Sequence, residues 1–313
     1  MGALRGTVQR KGRSMRTDQR GSAGVIGLGN MGLPMARTLI RKGFTVYGYD
    51  VLEERRELAA ASGVIVCSGV PEVMGATAYP VLSLPTAREV EEVVEAAGAL
   101  LGPGRCERTI VIDTSTSEPD VSRRLSARLA AAGHGFLDAP VSGAPIGAAA
   151  GTLTMMIGGA EADAAYARPV IEALASKIMH VGPNGSGNVA KLVNNLLVAA
   201  HMVSTGEALR LASAAGLDAE SALRVINAST GRSAISEVHF PNWIMSNRFE
   251  CGYTMGLMRK DVRLVLDIAE QAGVALPLGE HVAQLWLDST DRLDDAEDFT
   301  RMGAFTDPSA SET

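Results

Sequence analysis

The sequence predicts an α/β protein: a Rossmann-type N-terminal domain with a mainly parallel sheet, followed by an all-α C-terminal domain. Three observations carry that prediction. Short apolar runs alternate with amphipathic stretches from Gly24 to about Val181, a Gly-x-Gly-x-x-Gly turn follows the first run, and no strand pattern of any strength appears after Gly187. With 313 residues, 46% of them hydrophobic and 20% charged, the chain is long enough for two domains with sizeable cores. The net charge of −6 argues against nucleic acid as a partner. No apolar stretch is long and charge-free enough to span a bilayer, so no membrane partner is expected.

Residues 1–22 form a basic leader, with Arg5, Arg10, Lys11, Arg13, Arg16 and Arg20 against Asp18 alone, and disorder is expected there. A transit peptide and an overlong start, with Met15 as another initiator, are the alternatives for it. Val25-Ile26 is the first strand and leads into the turn Gly27-Leu28-Gly29-Asn30-Met31-Gly32. A helix through Met35, Leu39 and Ile40 follows and stops at Lys42-Gly43. Residues 44–49 make the next strand, closing at Asp50, and 53–61 are helical. Residues 64–66 and 81–84 are further strands, the second ended by Pro85. Residues 109–113 are another, and Ser117 is the expected N-cap of a helix running to Ala132. Phe136-Leu137 and 153–157 complete the strand set, while 138–153 hold too many small residues for a packed strand and read as a loop. One long helix spans 188–215, and helices continue to about Arg301 with breaks at Gly216, Gly231, Pro241 and Gly273. The expected division is therefore a dinucleotide-binding domain at 23–184, an all-helical substrate and oligomerisation domain at 185–302, and a tail at 303–313.

The glycine-rich turn gains meaning from its context. A strand precedes it, a helix follows it, and an acidic residue ends the next strand. Gly27 permits the tight turn, Gly29 lets backbone approach a pyrophosphate, and Gly32 allows close helix–strand packing. The phosphates belong at the helix start, where unpaired N–H groups and the helix dipole favour anions. Asp50 stands where the ribose 2′-hydroxyl is held and repels a 2′-phosphate, which favours NAD over NADP as the cofactor. Arg55 and Arg56 follow closely and leave NADP as the alternative. Cys67, Cys106 and Cys251 form no CxxC pair and read as thiols of a reducing compartment, so a cytoplasmic location is expected. The five histidines show no ligand spacing, and no metal is called for.

Lys191 is the most telling residue. It lies one turn inside the long helix, after the turn 182–187, with Asn194 and Asn195 at i+3 and i+4 on the same face. Val189, Leu192, Val193, Leu196, Leu197 and Val198 flank it and suggest a largely buried helix. A lysine there either snorkels its ammonium to water or has chemistry to perform. A nucleotide fold before it and a small-residue loop upstream, free to hold a carboxylate on backbone N–H groups, favour chemistry.

Four motifs in order give the chain its resemblance to the β-hydroxyacid dehydrogenases, over about residues 23–302. They are Gly27-Leu-Gly-Asn-Met-Gly-Leu-Pro-Met35, Asp138-Ala-Pro-Val-Ser-Gly143, the run 182–195, and Lys260-Asp261. The resemblance implies an NAD(P)-dependent oxidoreductase that interconverts a small 3-hydroxyacid and its semialdehyde, usually as a homodimer or homotetramer. It implies Lys191 as catalytic acid/base and Asn195 as the substrate-orienting hydrogen-bonder. Ser142 and Gly143 would bind the substrate carboxylate, Lys260 would lie near nicotinamide and substrate, and Leu84, Pro85 and Thr116 would contact the cofactor alongside Gly27, Leu28, Gly29, Asn30, Met31, Gly32 and Asp50. Two departures stand out: Ala144 replaces a second glycine after Ser142-Gly143, and Glu89 stands where several members have asparagine. A 3-hydroxyisobutyrate dehydrogenase type of activity is the leading expectation. The alternatives are 2-hydroxy-3-oxopropionate (tartronate semialdehyde) reduction and L-threonate or 4-hydroxybutyrate oxidation, with 6-phosphogluconate dehydrogenase, an imine reductase and a non-catalytic binding relative fitting less well.

Overall fold

The computed structural model describes residues 21–102 and 108–305. The expectations placed on residues 1–20, on Cys106 and on the tail beyond 305 fall outside that range.

The chain runs β1 (Ser22–Ile26), α1 (Gly32–Arg41), β2 (Thr45–Tyr49), α2 (Glu53–Ala60), β3 (Ile65–Val66), α3 (Val70–Ala76), β4 (Pro80–Leu82), α4 (Ala87–Ala97), β5 (Ile110–Asp113), α5 (Pro119–Ala131), β6 (Gly135–Asp138), β7 (Val141–Ser142), α6 (Ala144–Ala150), β8 (Leu153–Gly158), α7 (Glu161–Leu174) and β9 (Ala175–Gly182). Helices follow: α8 (Ser186–Ala214), α9 (Ala219–Asn227), a π-helical segment (Ile235–Ile244), α10 (Met255–Ala272), α11 (Pro277–Asp288) and α12 (Arg301–Phe305). Strand order is β3-β2-β1-β4-β5-β6-β8-β7, with β9 on the far side of β8. Pairing is parallel from β3 through β6, antiparallel where β6 and β7 meet β8, and parallel again between β8 and β9. The fold class is the expected one, a Rossmann-type sheet domain followed by an all-helical region.

The strands read as continuous apolar runs because both faces are covered. In β5, Ile110 and Ile112 join the core under α1 and α7, while Val111 between them joins the core under α3, α4 and α5. Burying each such side chain contributes roughly 1.5–3 kcal/mol. The strand order reverses between β1 and β4, and the crevice outside that reversal is where open α/β sheets bind ligands.

Local structure departs from the sequence reading at five points. The segment read as a loop forms β7 and α6, because Pro145 suits a helix's first turn, the alanines favour helix, and Gly151 closes it at φ 70°. Strand β9 was not anticipated: residues 176–181 are exposed, so pairing to β8 rather than any apolar pattern makes it a strand. Pro241 interrupts nothing, since it lies inside the π-helical segment. Ser117 does not cap α5; Glu118 occupies that position without a side-chain cap, and the Ser117 N–H bonds elsewhere. Finally, α8 is not buried all round. Lys191, Leu192 and Asn195 face inward, while Val193 and Leu197 are more than half exposed.

Candidate active site

The glycine-rich turn lies where β1 ends, beside the end of β4. Gly27 has φ 87°, and a Cβ there would meet the Ser83 carbonyl oxygen at 2.2 Å. At Gly32 a Cβ would stand 1.8 Å from the Gly27 carbonyl oxygen, so α1 packs on the turn only because this residue has no side chain. A Cβ on Gly29 would find nothing within 4 Å. That open space lies over the first turn of α1, which follows Asn30 and Met31 and carries no side-chain cap. An uncapped helix start of this kind favours an anion such as a pyrophosphate. Asp50 follows β2 directly; its carboxylate accepts from the Leu28 N–H at 2.7 Å and the Leu52 N–H at 2.9 Å. Arg56 turns back onto the Asp50 and Val51 carbonyls, at 2.7 and 3.0 Å.

The second half of the cleft is built by α8. The buried Asp138 carboxylate accepts from the Gly185 N–H at 2.8 Å and the Asn188 N–H at 3.1 Å, which pins the helix start to the end of β6. Gly187 sits so close that a Cβ would come within 2.3 Å of the Asp138 carbonyl oxygen. The Asn188 side chain, fully buried, accepts from the Ser117 N–H at 3.1 Å and donates to Ser122 Oγ at 3.0 Å and Ser117 Oγ at 3.3 Å. These bonds fix Lys191 one turn further along.

Lys191 is 7% exposed. Burial pushes its ammonium below the ordinary lysine range; the Asp261 carboxylate opposes that depression, and the charge of Lys260 adds to it. The depression thus comes with a counter-charge beside it. Asp261, buried on α10, accepts from Asn195 Nδ2 at 2.6 Å and from the Tyr253 hydroxyl at 2.5 Å, both at Oδ2. Asn194 donates to Asn195 Oδ1 at 3.1 Å. Lys260 reaches from α10 to the sheet: its Nζ donates to the Pro85 carbonyl at 3.1 Å and to the Thr116 carbonyl, and lies 3.3 Å from Asp261 Oδ1. Leu84 is held alongside, its N–H bonded to Ser115 Oγ at 3.0 Å.

Of the residues picked out from sequence, the structure therefore brings together Lys191, Asn195 and Lys260 around Asp261, Pro85 and Thr116 with Lys260, and Leu28 with Asp50. Ser142 ends β7, paired with Thr154, and Gly143 opens α6 at φ 129°. No hydrogen bond among the described residues joins either of them to Lys191 or Asn195. Sequence reasoning missed four supporting groups. Asp138 and Asp261 stood inside recognised motifs without a role, while nothing in the sequence pointed to Asn188 or Tyr253. Among the described residues no group of three or more His, Cys, Asp and Glu side chains could hold a metal ion.

A glycine-rich turn at the switch point of a parallel sheet, together with a buried lysine whose charged form burial disfavours, is the combination of an NAD(P)-dependent dehydrogenase acting on a hydroxyl group. Comparison with known proteins agrees. Residues 22–182 match the family described as the NAD binding domain of 6-phosphogluconate dehydrogenase, and residues 185–305 that described as NAD-binding of NADP-dependent 3-hydroxyisobutyrate dehydrogenase. A 2-(hydroxymethyl)glutarate dehydrogenase of Eubacterium barkeri is 37% identical over 263 residues, covering 84% of this chain and 87% of its own. An NAD-dependent L-serine dehydrogenase of Pseudomonas aeruginosa is 34% identical over 270 residues, covering 83% and 89%. The solved structure of Mycobacterium tuberculosis 3-hydroxyisobutyrate dehydrogenase with L-serine matches with a TM-score of 0.82 and 34% identity, over 91% of this chain and 98% of that one. The chain belongs to the 3-hydroxyisobutyrate dehydrogenase family of hydroxyacid dehydrogenases.

Proposed function

We propose that this enzyme acts on acids of the form HO–CH2–CHR–COO⁻, oxidising the hydroxymethyl group to an aldehyde or running the reverse reaction, with NAD preferred. The buried Lys191, within electrostatic reach of Lys260, whose ammonium bonds the Pro85 and Thr116 carbonyls, carries this reading. The nicotinamide, when bound, supplies the hydride chemistry. Neutral Lys191 takes the proton of the substrate hydroxyl in oxidation, and its ammonium returns one to the developing alkoxide in reduction; a proton affinity lowered by burial serves both. The Asn195 amide, held by Asp261 and lying beside the Tyr253 hydroxyl, orients the substrate oxygen. Ser142 and Gly143 bind the carboxylate, and Lys260 closes the cleft over Pro85 and Thr116, near the nicotinamide. Gly27, Leu28, Gly29, Asn30, Met31 and Gly32 cradle the pyrophosphate, Leu84 flanks the nicotinamide, and Asp50 disfavours a 2′-phosphate.

The substrate class has independent support. 3-Hydroxyisobutyrate, L-serine and 2-(hydroxymethyl)glutarate, as the relatives' names give them, share a hydroxymethyl group on the carbon that bears the carboxylate. Glycerate, the reduction product of tartronate semialdehyde, has the same unit; 4-hydroxybutyrate and the secondary alcohols of L-threonate do not. A division near residue 184, with substrate residues on both sides, belongs to the same reading, as do a cytoplasmic location and a homodimeric or homotetrameric assembly. The exposed Val193 and Leu197 on α8 and Ile178, Met179 and Val181 on edge strand β9 support an assembly.

The test is a panel of 3-hydroxyisobutyrate, L-serine, glycerate, 2-(hydroxymethyl)glutarate and 4-hydroxybutyrate with NAD, followed by NADH absorbance. Turnover of at least one of the first four, and none of the last, is expected. Silence across the panel in both directions, with NADH shown to bind, overturns the proposal.

A further inference from the structure

We propose that the Tyr253 hydroxyl is a positioning group which, through Asp261, sets both the pose of Asn195 and the charge that Lys191 feels; the proposal rests on the reading of Lys191 as acid/base. A carboxylate as buried as Asp261 is stable only with its lone pairs engaged. Its two oxygens are engaged unequally. Oδ2 receives two hydrogen bonds, from Tyr253 at 2.5 Å and Asn195 at 2.6 Å. Among the described residues, Oδ1 has only the ion pair with Lys260 at 3.3 Å.

Two consequences follow from that asymmetry. An oxygen offers two lone pairs, so the Tyr253 hydroxyl occupies one and restricts Asn195 to the other. The Asn195 amide is thereby held at both ends, by Asp261 at Nδ2 and by Asn194 at Oδ1. Each donor also disperses the negative charge of Asp261 and weakens its pull on the Lys191 ammonium. The groups facing this cluster come from four elements: Lys191 and Asn195 from α8, Lys260 from α10, Tyr253 and Cys251 from the segment ahead of α10, and Asp113 at the end of β5, acting through Lys260. Tyr253 is the one among them that donates to Asp261 without belonging to either lysine-bearing helix.

The Tyr253 ring is seated independently of its hydroxyl. It packs edge-on against Phe299 with centroids 5.5 Å apart at 88°, and Phe299 is part of the helical core. Tyr253→Phe therefore removes the donor and keeps the packing. Asp261 acts on Lys191 through space rather than by an ion pair; an opposite charge within about 4–6 Å moves a pKa by about 1–3 units, and one donor tempers a fraction of it, so a shift of roughly 0.5–1 unit is expected.

The experiment is the pH dependence of kcat/KM for oxidation of the panel's best 3-hydroxyacid by full-length wild type, Tyr253→Phe and Asp261→Asn. The acid limb reports Lys191 losing its proton. Tyr253→Phe should move that limb upward, since the less dispersed carboxylate holds the ammonium more firmly, and Asp261→Asn should move it downward. A Tyr253→Phe limb coincident with wild type, or a shift of both variants in one direction, overturns the proposal even if KM or Tm changes. No acid limb in wild type, or turnover by Lys191→Ala, overturns the assignment of Lys191 and the proposal with it.

Discussion

Two glycines three residues apart in the same turn should fail in opposite ways when each becomes alanine. At Gly32 the new Cβ would lie 1.8 Å from a backbone oxygen of Gly27, an overlap that no rotamer change relieves. Forcing α1 away from the turn should cost about 3 kcal/mol, the upper part of the usual range for overpacking. At about 2–4 °C per kcal/mol for a protein of this size, Tm should fall by roughly 6–12 °C. At Gly29 the same methyl group enters open space and φ is unexceptional, so stability should change by less than about 0.5 kcal/mol. That methyl would instead stand where the pyrophosphate approaches the helix amides. Weakening one or two charge-assisted hydrogen bonds should cost about 1.4–2.8 kcal/mol of binding, a 10- to 100-fold rise in Kd. A thermal melt and a fluorescence titration with NADH on each variant separate the two effects. Gly29→Ala binding NADH as wild type does would show that the phosphates lie elsewhere, and an unchanged Tm for Gly32→Ala would refute the packing argument.

Asn188→Ala strands the Ser117 N–H in the core and removes the side-chain ties from α8 to Ser117 and Ser122 while keeping the backbone bonds to Asp138, and should cost about 3 kcal/mol in chemical denaturation together with most of the activity. Asp113 is fully buried with Oδ2 unbonded, and burial pushes its carboxyl from 3.8 up to about 7 against the Ser115 donors. The folded state then holds the extra proton between those values, so stability contributed here falls as pH rises from about 4 to 7. A difference of about 3 units sets an upper bound of about 4 kcal/mol, and Asp113→Asn should gain stability over wild type progressively across that window in urea melts at stepped pH. A wild type and variant whose stabilities run parallel from pH 4 to 7 would show that Asp113 is ionised throughout.

What was legible in the sequence was whatever the chain writes locally. Strand β5 is apolar on both faces because helices cover both, and the run around Ile110 to Ile112 shows it without alternation. The glycines of the turn are dictated by clashes with their own neighbours, so strand, turn, helix and Asp50 could be placed together. Lys191 and Asn195 were readable because i and i+4 share a helical face. The remainder depends on partners far away in the chain. β9 is a strand because β8 offers it an edge, and α6 formed where small residues resemble a loop. Tyr253 and Asp261 meet Asn195 across about sixty residues, a contact set by how α10 packs on α8 and by no local spacing. Asp138 and Asn188 likewise became intelligible only with α8 docked onto the end of β6 and the start of α5.

On the proposed reading, Lys191 transfers the proton and the nucleotide cradle is built without it. Turnover and NADH affinity of Lys191→Ala, measured side by side on the same preparation, test this most directly. General acid–base catalysis of this kind contributes about 10²–10⁴-fold, so kcat should fall by that order while the Kd for NADH stays within about twofold. Retained turnover would exclude Lys191 as the acid/base, and lost NADH binding would make it a structural residue.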